Sequence, residues 1–188
     1  MKKLTLIAFL GLSTLAFSQD VKNLPDKGKQ KTALIVPTEQ KDLDAKKKAA
    51  EEKAKLPKPY NPKADAQADI NKLVAQAKKE GKNIMIQAGG NWCIWCLRFN
   101  NFVQETPELK ELVDKNYLYY HLNYSPDNKN EKVFSKYVNI KERQGYPFFI
   151  ILDQNGKMIH ILKDSGTLEK DNGYDKEKVK QFFETGKV

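Results

Sequence analysis

The chain has 188 residues, with 33 basic and 24 acidic side chains and a formal net charge of +9. Residues 19–63 carry 12 basic and 7 acidic side chains, whereas residues 64–188 carry 19 and 17 and contain 16 of the 19 aromatic residues. Because the positive excess lies outside the aromatic-rich part, the composition argues against a nucleic-acid-binding domain and a nucleic-acid partner. The length suits one domain with its own core.

Residues 1–18 have the pattern of a secretory signal peptide. Two lysines precede an apolar run from Leu4 to Phe17, and Ala16 and Ser18 are the small residues before a cleavage point. The run is too short to cross a bilayer, and no later stretch approaches the ~20 apolar residues of a transmembrane helix. We expect an exported protein, periplasmic or secreted after cleavage near Ser18, with no transmembrane segment in the mature chain.

Residues 19–63 are predicted to form a flexible basic linker. Five of the eight prolines lie here, among many lysines and few large apolar residues. Such a segment buries too little apolar surface to offset its ordering entropy. Ala33–Val36 is compatible with an edge strand and Asp42–Lys55 with a polar helix, both within a solvated tether. A basic arm for anionic lipid or cell-wall polymer is the alternative, disfavoured because Glu51 and Glu52 interrupt the lysines.

Residues 64–188 are predicted to form one α/β domain. Apolar residues at helical spacing and a stop at Gly81 predict a helix over about 65–80. Asn83 to Ala88 is a buried strand, and Gly89-Gly90 ends it. The next helix carries the two cysteines and is split at Thr106-Pro107. The further predicted elements are a strand at Tyr117–Tyr124, a short helix at Val133–Tyr137, a central strand at Phe148–Leu152, a hairpin strand at Met158–Leu162 and a closing helix at Val179–Phe183.

The chemistry of the sequence is concentrated in Trp92-Cys93-Ile94-Trp95-Cys96. A zinc site needs four ligands, and beyond this pair the chain offers only His121 and His160, at no finger-like spacing. A disulfide that closes so small a loop adds little stability, which disfavours a purely structural role. A helix start at Cys93 favours its thiolate, and Cys96 follows one turn later as a resolving thiol. We therefore expect a redox-active disulfide, with no metal and no other cofactor.

Residues 64–186 resemble the thioredoxin superfamily, specifically its exported members with a W-C-x-x-C active site. The resemblance rests on the strand that leads into Trp92–Cys96, on Gly145-Tyr146-Pro147 before the central strand and on the Asp153–Gly156 hairpin turn. It implies a thioredoxin fold, a central mixed β-sheet flanked by helices. It also implies that Pro147 follows a cis peptide bond and faces the dithiol, while the backbone of Tyr146 pairs with a substrate chain. The alternative for the Tyr146 side chain is a plain core position.

Two positions depart from the pattern of the family. Gln87 stands where thioredoxins usually have a buried aspartate that moves protons at the second cysteine, and an amide is not a general base. His121 stands where a lysine often partners that aspartate. Because histidine titrates near neutrality, His121 is a candidate proton carrier; the alternative is a strand residue that faces solvent or is hydrogen-bonded in the core. The bulky Ile94-Trp95 pair between the cysteines leaves the reduction potential open.

The resemblance implies an exported thiol–disulfide oxidoreductase in which Cys93 attacks and Cys96 releases the mixed disulfide. Its partners would be protein thiols and disulfides, and a reducing role would need a membrane electron donor. A different class remains open, in which the fold is a non-enzymatic binding module or a copper chaperone that uses the same cysteines. The expected substrate-binding residues are Trp92, Trp95, Tyr146 and Pro147.

Overall fold

The computed structural model describes residues 37–139, 142 and 144–187. The predicted signal peptide and the stretch Ala33–Val36 lie outside the described residues. The chain divides into two units, residues 1–40 and residues 41–188. Of the first unit, the structure describes residues 37–40, which are helical. No helix in the described ranges combines the length and the apolar character needed to cross a membrane.

The described residues form six α-helices and a four-stranded sheet, with a small two-stranded ribbon near the end. The helices are α1 Pro37–Lys55, α2 Ala66–Glu80, α3 Ile94–Glu105, α4 Pro107–Asn116, α5 Glu131–Tyr137 and α6 Lys176–Thr185. The strands are β1 Asn83–Gly89, β2 Tyr117–Asn123, β3 Phe148–Leu152, β4 Met158–Leu162, β5 Glu169–Lys170 and β6 Gly173–Tyr174. A 3₁₀ turn, Ser165–Leu168, precedes β5.

The main sheet has the strand order β2-β1-β3-β4. Strand β1 pairs in parallel with β2 and antiparallel with β3, and β4 pairs antiparallel with β3. The two central strands are buried along their whole length, as predicted, and β3 is a continuous apolar run. The architecture is the expected mixed sheet flanked by helices.

Alternate side chains of β1 enter different cores on the two faces of the sheet. Ile84 and Ile86 pack in a cluster with Ile70 of α2 and Phe134 of α5. Met85 packs on the opposite face in a cluster with residues of α3, α4 and α6. Gln87 therefore points to the same face as Met85, the face covered by α3.

The predicted helix ends are present. Asp65 caps α2 by accepting a hydrogen bond from the Ala68 amide, and Gly81 ends it in the left-handed region at φ 67°. The predicted split at Thr106-Pro107 separates α3 from α4, with Pro107 in the first turn of α4. Proline fits there because the first-turn amides have no partner within the helix.

Part of the predicted linker packs against the domain. Helix α1 contains the predicted polar helix and begins earlier, at Pro37. Glu52 on α1 accepts two hydrogen bonds from Arg98 on α3, at 2.8 and 2.6 Å. Tyr60 is only 2% exposed. The predicted boundary between residues 63 and 64 therefore cuts through a packed segment, because the aromatic ring of Tyr60 finds apolar partners on the domain that local composition does not reveal.

Candidate active site

Cys93 lies at the N-terminal end of α3, as the helical spacing of the following residues predicts. Its backbone is extended, and its sulfur accepts a hydrogen bond from the Cys96 amide at 3.1 Å. The first-turn amides of a helix lack internal partners and carry a partial positive charge, so they stabilise negative charge at this position. The Cys93 sulfur therefore occupies a position that favours a thiolate when the pair is reduced.

The two cysteines form a disulfide, with their Cα atoms 5.3 Å apart. Cys93 is 6% exposed, whereas Cys96 is fully buried. A nucleophile that approaches from solvent therefore reaches Cys93 first. Among the described residues, no group of three or more His, Cys, Asp or Glu side chains is arranged to hold a metal ion.

The loop before β3 faces Cys93. The Tyr146–Pro147 peptide bond is cis, as the resemblance implies. The carbonyl oxygen of Tyr146 lies 3.6 Å from the Cys93 sulfur, and Pro147 is buried. The Tyr146 ring is partly buried and contacts the Trp92 ring edge-on, with centroids 5.3 Å apart. Tyr146 thus belongs to the wall of the site as well as to the core.

The two tryptophans have different surroundings. Trp92 is 48% exposed, and its indole nitrogen donates a hydrogen bond to the Tyr124 carbonyl at 2.7 Å. Trp95 is partly buried, contacts the Tyr174 ring edge-on and lies under the Arg98 guanidinium at 4.8 Å. Trp92 is therefore the more accessible aromatic surface beside the disulfide.

Gln87 lies behind the disulfide in a fully buried position. Its amide nitrogen donates to the Cys96 carbonyl at 2.9 Å, and its amide oxygen accepts from the Tyr119 hydroxyl at 2.7 Å. Both ends of the amide are thus occupied by fixed partners. This neutral pairing ties β1 and β2 to the first turn of α3.

His121 is opposite Gln87 in the register of β1 and β2. Its ring lies 5.1 Å, centroid to centroid, from each of the rings of Tyr60 and Tyr119. Its Nε2 atom is buried and has no hydrogen-bond partner among the described residues. Burial disfavours the charged form and lowers the pKa of His121 to about 4.

The strand places the imidazole among aromatic rings rather than beside an acid, which puts its pKa below neutrality, and the role of His121 as a proton carrier stays a prediction. The His121 side chain as a whole is only partly buried, so the alternative of a strand residue that reaches solvent still stands. His121 and Gln87 do lie together behind the dithiol, as the sequence comparison with the family implies.

Tyr60 and Asn91 are site residues that sequence reasoning missed. Tyr60 belongs to the cluster of buried side chains around Cys93, Cys96 and Leu97. The Tyr60 amide donates to the Asn91 side chain at 3.1 Å, and that side chain donates back to the Tyr60 carbonyl at 2.7 Å. A signal was present, because Tyr60 is the one aromatic residue in a polar segment.

Comparisons with known proteins agree with this geometry. Residues 65–154 match the sequence profile of a family described as thioredoxin-like. A disulphide isomerase from Xylella fastidiosa Temecula1 has a similar structure, with a TM-score of 0.58 and 22% identity over 68% of this chain and 95% of that one. The C-terminal domain of DsbD from Neisseria meningitidis, in its oxidised form, is similar with a TM-score of 0.46 and 17% identity, over 66% of this chain and 97% of that one.

No curated protein sequence shows significant similarity to the chain. The profile match, the mixed sheet and the C-x-x-C pair at the start of α3 agree with one another. The described residues have a thioredoxin fold, and residues 65–154 are similar to the thioredoxin-like family.

Proposed function

We propose that this protein is an exported thiol–disulfide oxidoreductase that exchanges disulfides with protein substrates through Cys93 and Cys96. The observation that carries the proposal is the difference between the two sulfurs. Cys93 accepts a helix-start amide hydrogen bond and is the more accessible, whereas Cys96 is fully buried one turn later. This asymmetry suits one attacking and one resolving thiol.

In the reducing direction, the Cys93 thiolate attacks one sulfur of a substrate disulfide and the other substrate sulfur leaves as a thiolate. The Cys96 thiolate then attacks the Cys93 sulfur and breaks the mixed disulfide. This step releases the second substrate thiolate and forms the Cys93–Cys96 bond that the structure contains. The oxidising direction is the reverse: a substrate thiolate attacks Cys93, and Cys96 leaves as a thiolate.

The surroundings of Cys93 suit an extended substrate chain. The Tyr146 carbonyl, 3.6 Å from the Cys93 sulfur, can accept a backbone hydrogen bond from a substrate strand. Trp92 and Tyr146 form one wall, Trp95 lies on the helix beside it, and Pro147 fixes the loop. A cleft of about 440 Å³ next to Trp92 can take a substrate side chain.

Export rests on the signal-peptide pattern of residues 1–18. In an oxidising compartment, a dithiol that reduces substrates must receive electrons from another protein. The proposed partners are therefore protein thiols or disulfides and, for a reducing role, a membrane electron donor. The disulphide isomerase from Xylella fastidiosa Temecula1 shares this fold.

A disulfide-reduction assay on the purified protein tests the function. With a chemical reductant as electron source, we expect catalytic turnover of a protein disulfide, abolished by Cys93→Ser. Metal analysis of the same preparation is the parallel measurement. Stoichiometric copper together with absent turnover would contradict the proposal and favour a copper chaperone.

A further inference from the structure

Tyr60 is fixed to the loop that carries the cysteines, although it lies far before them in the chain. Its backbone exchanges two hydrogen bonds with the Asn91 side chain, two residues before Cys93. Its ring meets the His121 ring edge-on, and it belongs to the buried cluster that contains both cysteines. The position of its hydroxyl is therefore set by the active-site loop and by β2.

The Tyr60 hydroxyl and the Cys96 sulfur both face Gly89 of β1. A β-carbon on Gly89 would lie 2.5 Å from the Cys96 sulfur and 3.0 Å from the Tyr60 oxygen, so both atoms border the same small space above Gly89. Glycine at this position lets the two atoms approach the strand. Within the described residues, the Tyr60 hydroxyl completes no hydrogen bond of ordinary geometry, although the Gln87 amide lies near its oxygen. A buried hydroxyl that donates no hydrogen bond costs about 1–3 kcal/mol, which calls for a functional reason.

We propose that Tyr60 is a positioning residue for the exchange reaction, whose hydroxyl donates a hydrogen bond to the Cys96 sulfur whenever that sulfur carries negative charge. This inference rests on the proposed function of the Cys93–Cys96 pair. In this proposal, the Tyr60 hydroxyl stabilises the Cys96 thiolate, at a site that has no acidic side chain in the position of Gln87.

The donor acts in both directions of the exchange. In the oxidising direction, a substrate thiolate bonds to Cys93, the Cys93–Cys96 bond breaks, and Cys96 leaves with the electron pair beside the Tyr60 hydroxyl. In the reducing direction, the Cys96 thiolate attacks Cys93, and the proton that its thiol lost is finally taken up by the departing substrate thiolate. Tyr60 keeps its own proton throughout.

The neighbouring polar side chains do not serve as the donor to the Cys96 thiolate. Gln87 uses its amide nitrogen on the Cys96 carbonyl and its oxygen on Tyr119. Burial lowers the pKa of His121 to about 4, so its imidazole is neutral at pH 7. Burial raises the pKa of Tyr60 well above its ordinary value, and the nearby Gln87 amide lowers it by less. Tyr60 therefore remains a protonated donor.

The other titratable groups of this buried region, on the elements packed around Cys96, are neutral or bound to a partner. Burial raises the pKa of Tyr119 and of Tyr174 well above the ordinary value, so both stay protonated. The charged pair on the neighbouring helices, Arg98 with Glu52, is paired internally. The titration of Cys96 is therefore expected to report the Tyr60 hydroxyl.

The test is the titration of Cys96 in the full chain carrying Cys93→Ser, followed by the ultraviolet absorbance of the thiolate. Adding Tyr60→Phe removes one oxygen atom and keeps the ring, so we expect an about tenfold lower thiolate fraction at a fixed pH below the midpoint of the titration. Tyr137→Phe is the matched control, because Tyr137 also has a buried hydroxyl without a partner in the described structure and lies in the core on the other face. It should leave the titration unchanged.

Site-specific 3-fluorotyrosine at position 60 provides a second variant that keeps the hydroxyl and the packing. Its more acidic hydroxyl is a better donor and should move the Cys96 titration to lower pH. Equal titrations of Cys96 in the Tyr60→Phe and Tyr137→Phe proteins, or no response to the fluorinated ring, would overturn the inference. Because the titration uses no substrate, it separates a failure of this inference from a failure of the proposed function, which the turnover assay reports.

Discussion

Gln87 is a neutral amide at a buried position directly behind Cys96, and its exchange for aspartate tests what the position does. An aspartate there can accept the thiol proton of Cys96, so Gln87→Asp should speed the resolving step about 10²-fold where the carboxylate is ionised. The free energy of unfolding should fall by about 2–4 kcal/mol, because a charge is buried and the bond to the Cys96 carbonyl is lost. Stopped-flow kinetics and denaturant unfolding measure the two effects.

Gln87→Asn is the matched control, because it shortens the side chain equally without adding charge. It should be destabilised and should not resolve faster. Equal resolving rates in the aspartate and asparagine proteins would show that a base at position 87 does not limit the step. Adding His121→Ala to Gln87→Asp should deepen the stability loss if the imidazole pairs with the new carboxylate.

At the scale of single residues, the sequence predicts those site residues whose role follows from a local pattern. Cys93, Cys96 and Pro147 belong to short motifs, and the structure places them together. The titration of His121 was not predictable, since it depends on two rings that pack around it. Tyr60 was missed because its partners lie about thirty residues further along the chain.

Helix α1 is joined to the active-site helix by a two-point ion pair. Arg98 donates to both oxygens of Glu52 and also stacks on Trp95. Glu52→Gln should lower the free energy of unfolding by about 0.5–1 kcal/mol at low salt, a small value because the carboxylate is partly exposed. Denaturant unfolding at low and high salt measures the loss, which should shrink at high salt.

The hydrogen bonds from Arg98 lower the pKa of Glu52 below its usual 4.5. The contribution of the pair is therefore present above pH 4.5 and is lost as the pH falls through the lowered pKa. Glu51→Gln on the exposed face of α1 is the control. If both variants lose the same stability, the ion pair does not hold α1 to the domain.

The segment from Glu52 to Tyr60 is expected to be part of the folded unit. Deleting residues 19–63 removes the Tyr60 ring, which is 2% exposed, and uncovers Cys96. We expect a loss of about 3–5 kcal/mol in the free energy of unfolding, comparable to the truncation of a buried aromatic residue. Deleting residues 19–36 is the control and should keep the stability. Equal stability of the two truncated proteins would show that the folded domain begins at residue 64, as the sequence predicts.

At the scale of elements, the sequence predicts helices and strands whose signals are local. Helical periodicity and Gly81 mark α2, Pro107 marks the break between α3 and α4, and an apolar run marks β3. The docking of the segment after α1 was not predictable. Its composition is polar, and its hydrogen-bond partners, which include Asn91 and Asn128, lie far along the chain.

At the scale of the whole molecule, the sheet brings the residues of the candidate active site together near the end of β1. The end of β1 leads into the cysteine loop, the loop before β3 brings Tyr146 beside Cys93, and β2 brings His121 next to β1. This convergence follows from the observed strand order β2-β1-β3-β4. Tyr60 also packs beside the two cysteines, although it lies outside residues 65–154, which match the family.

The stability of the whole molecule should depend on pH through His121. Its pKa is about 4 in the folded protein and 6.5 when exposed, so between these values the unfolded chain binds more protons. The free energy of unfolding should therefore fall as the pH drops from 6.5 to 4, by about 3 kcal/mol in total. The measurement is denaturant unfolding of the wild type and of His121→Phe at pH 7, 5.5 and 4.5. Parallel curves for the two proteins would contradict the burial of a neutral imidazole.

The most direct test of the central claim, that Cys93 attacks and Cys96 resolves, is trapping of the mixed disulfide. Each single Cys→Ser protein is incubated with a disulfide-bonded protein substrate, quenched with acid and analysed by mass spectrometry without reductant. We predict a covalent adduct through Cys93 in the Cys96→Ser protein, because the attacking thiol is present and its resolver is absent, and none in the Cys93→Ser protein. Accumulation of the adduct through Cys96 in the Cys93→Ser protein, with none in Cys96→Ser, would contradict the account.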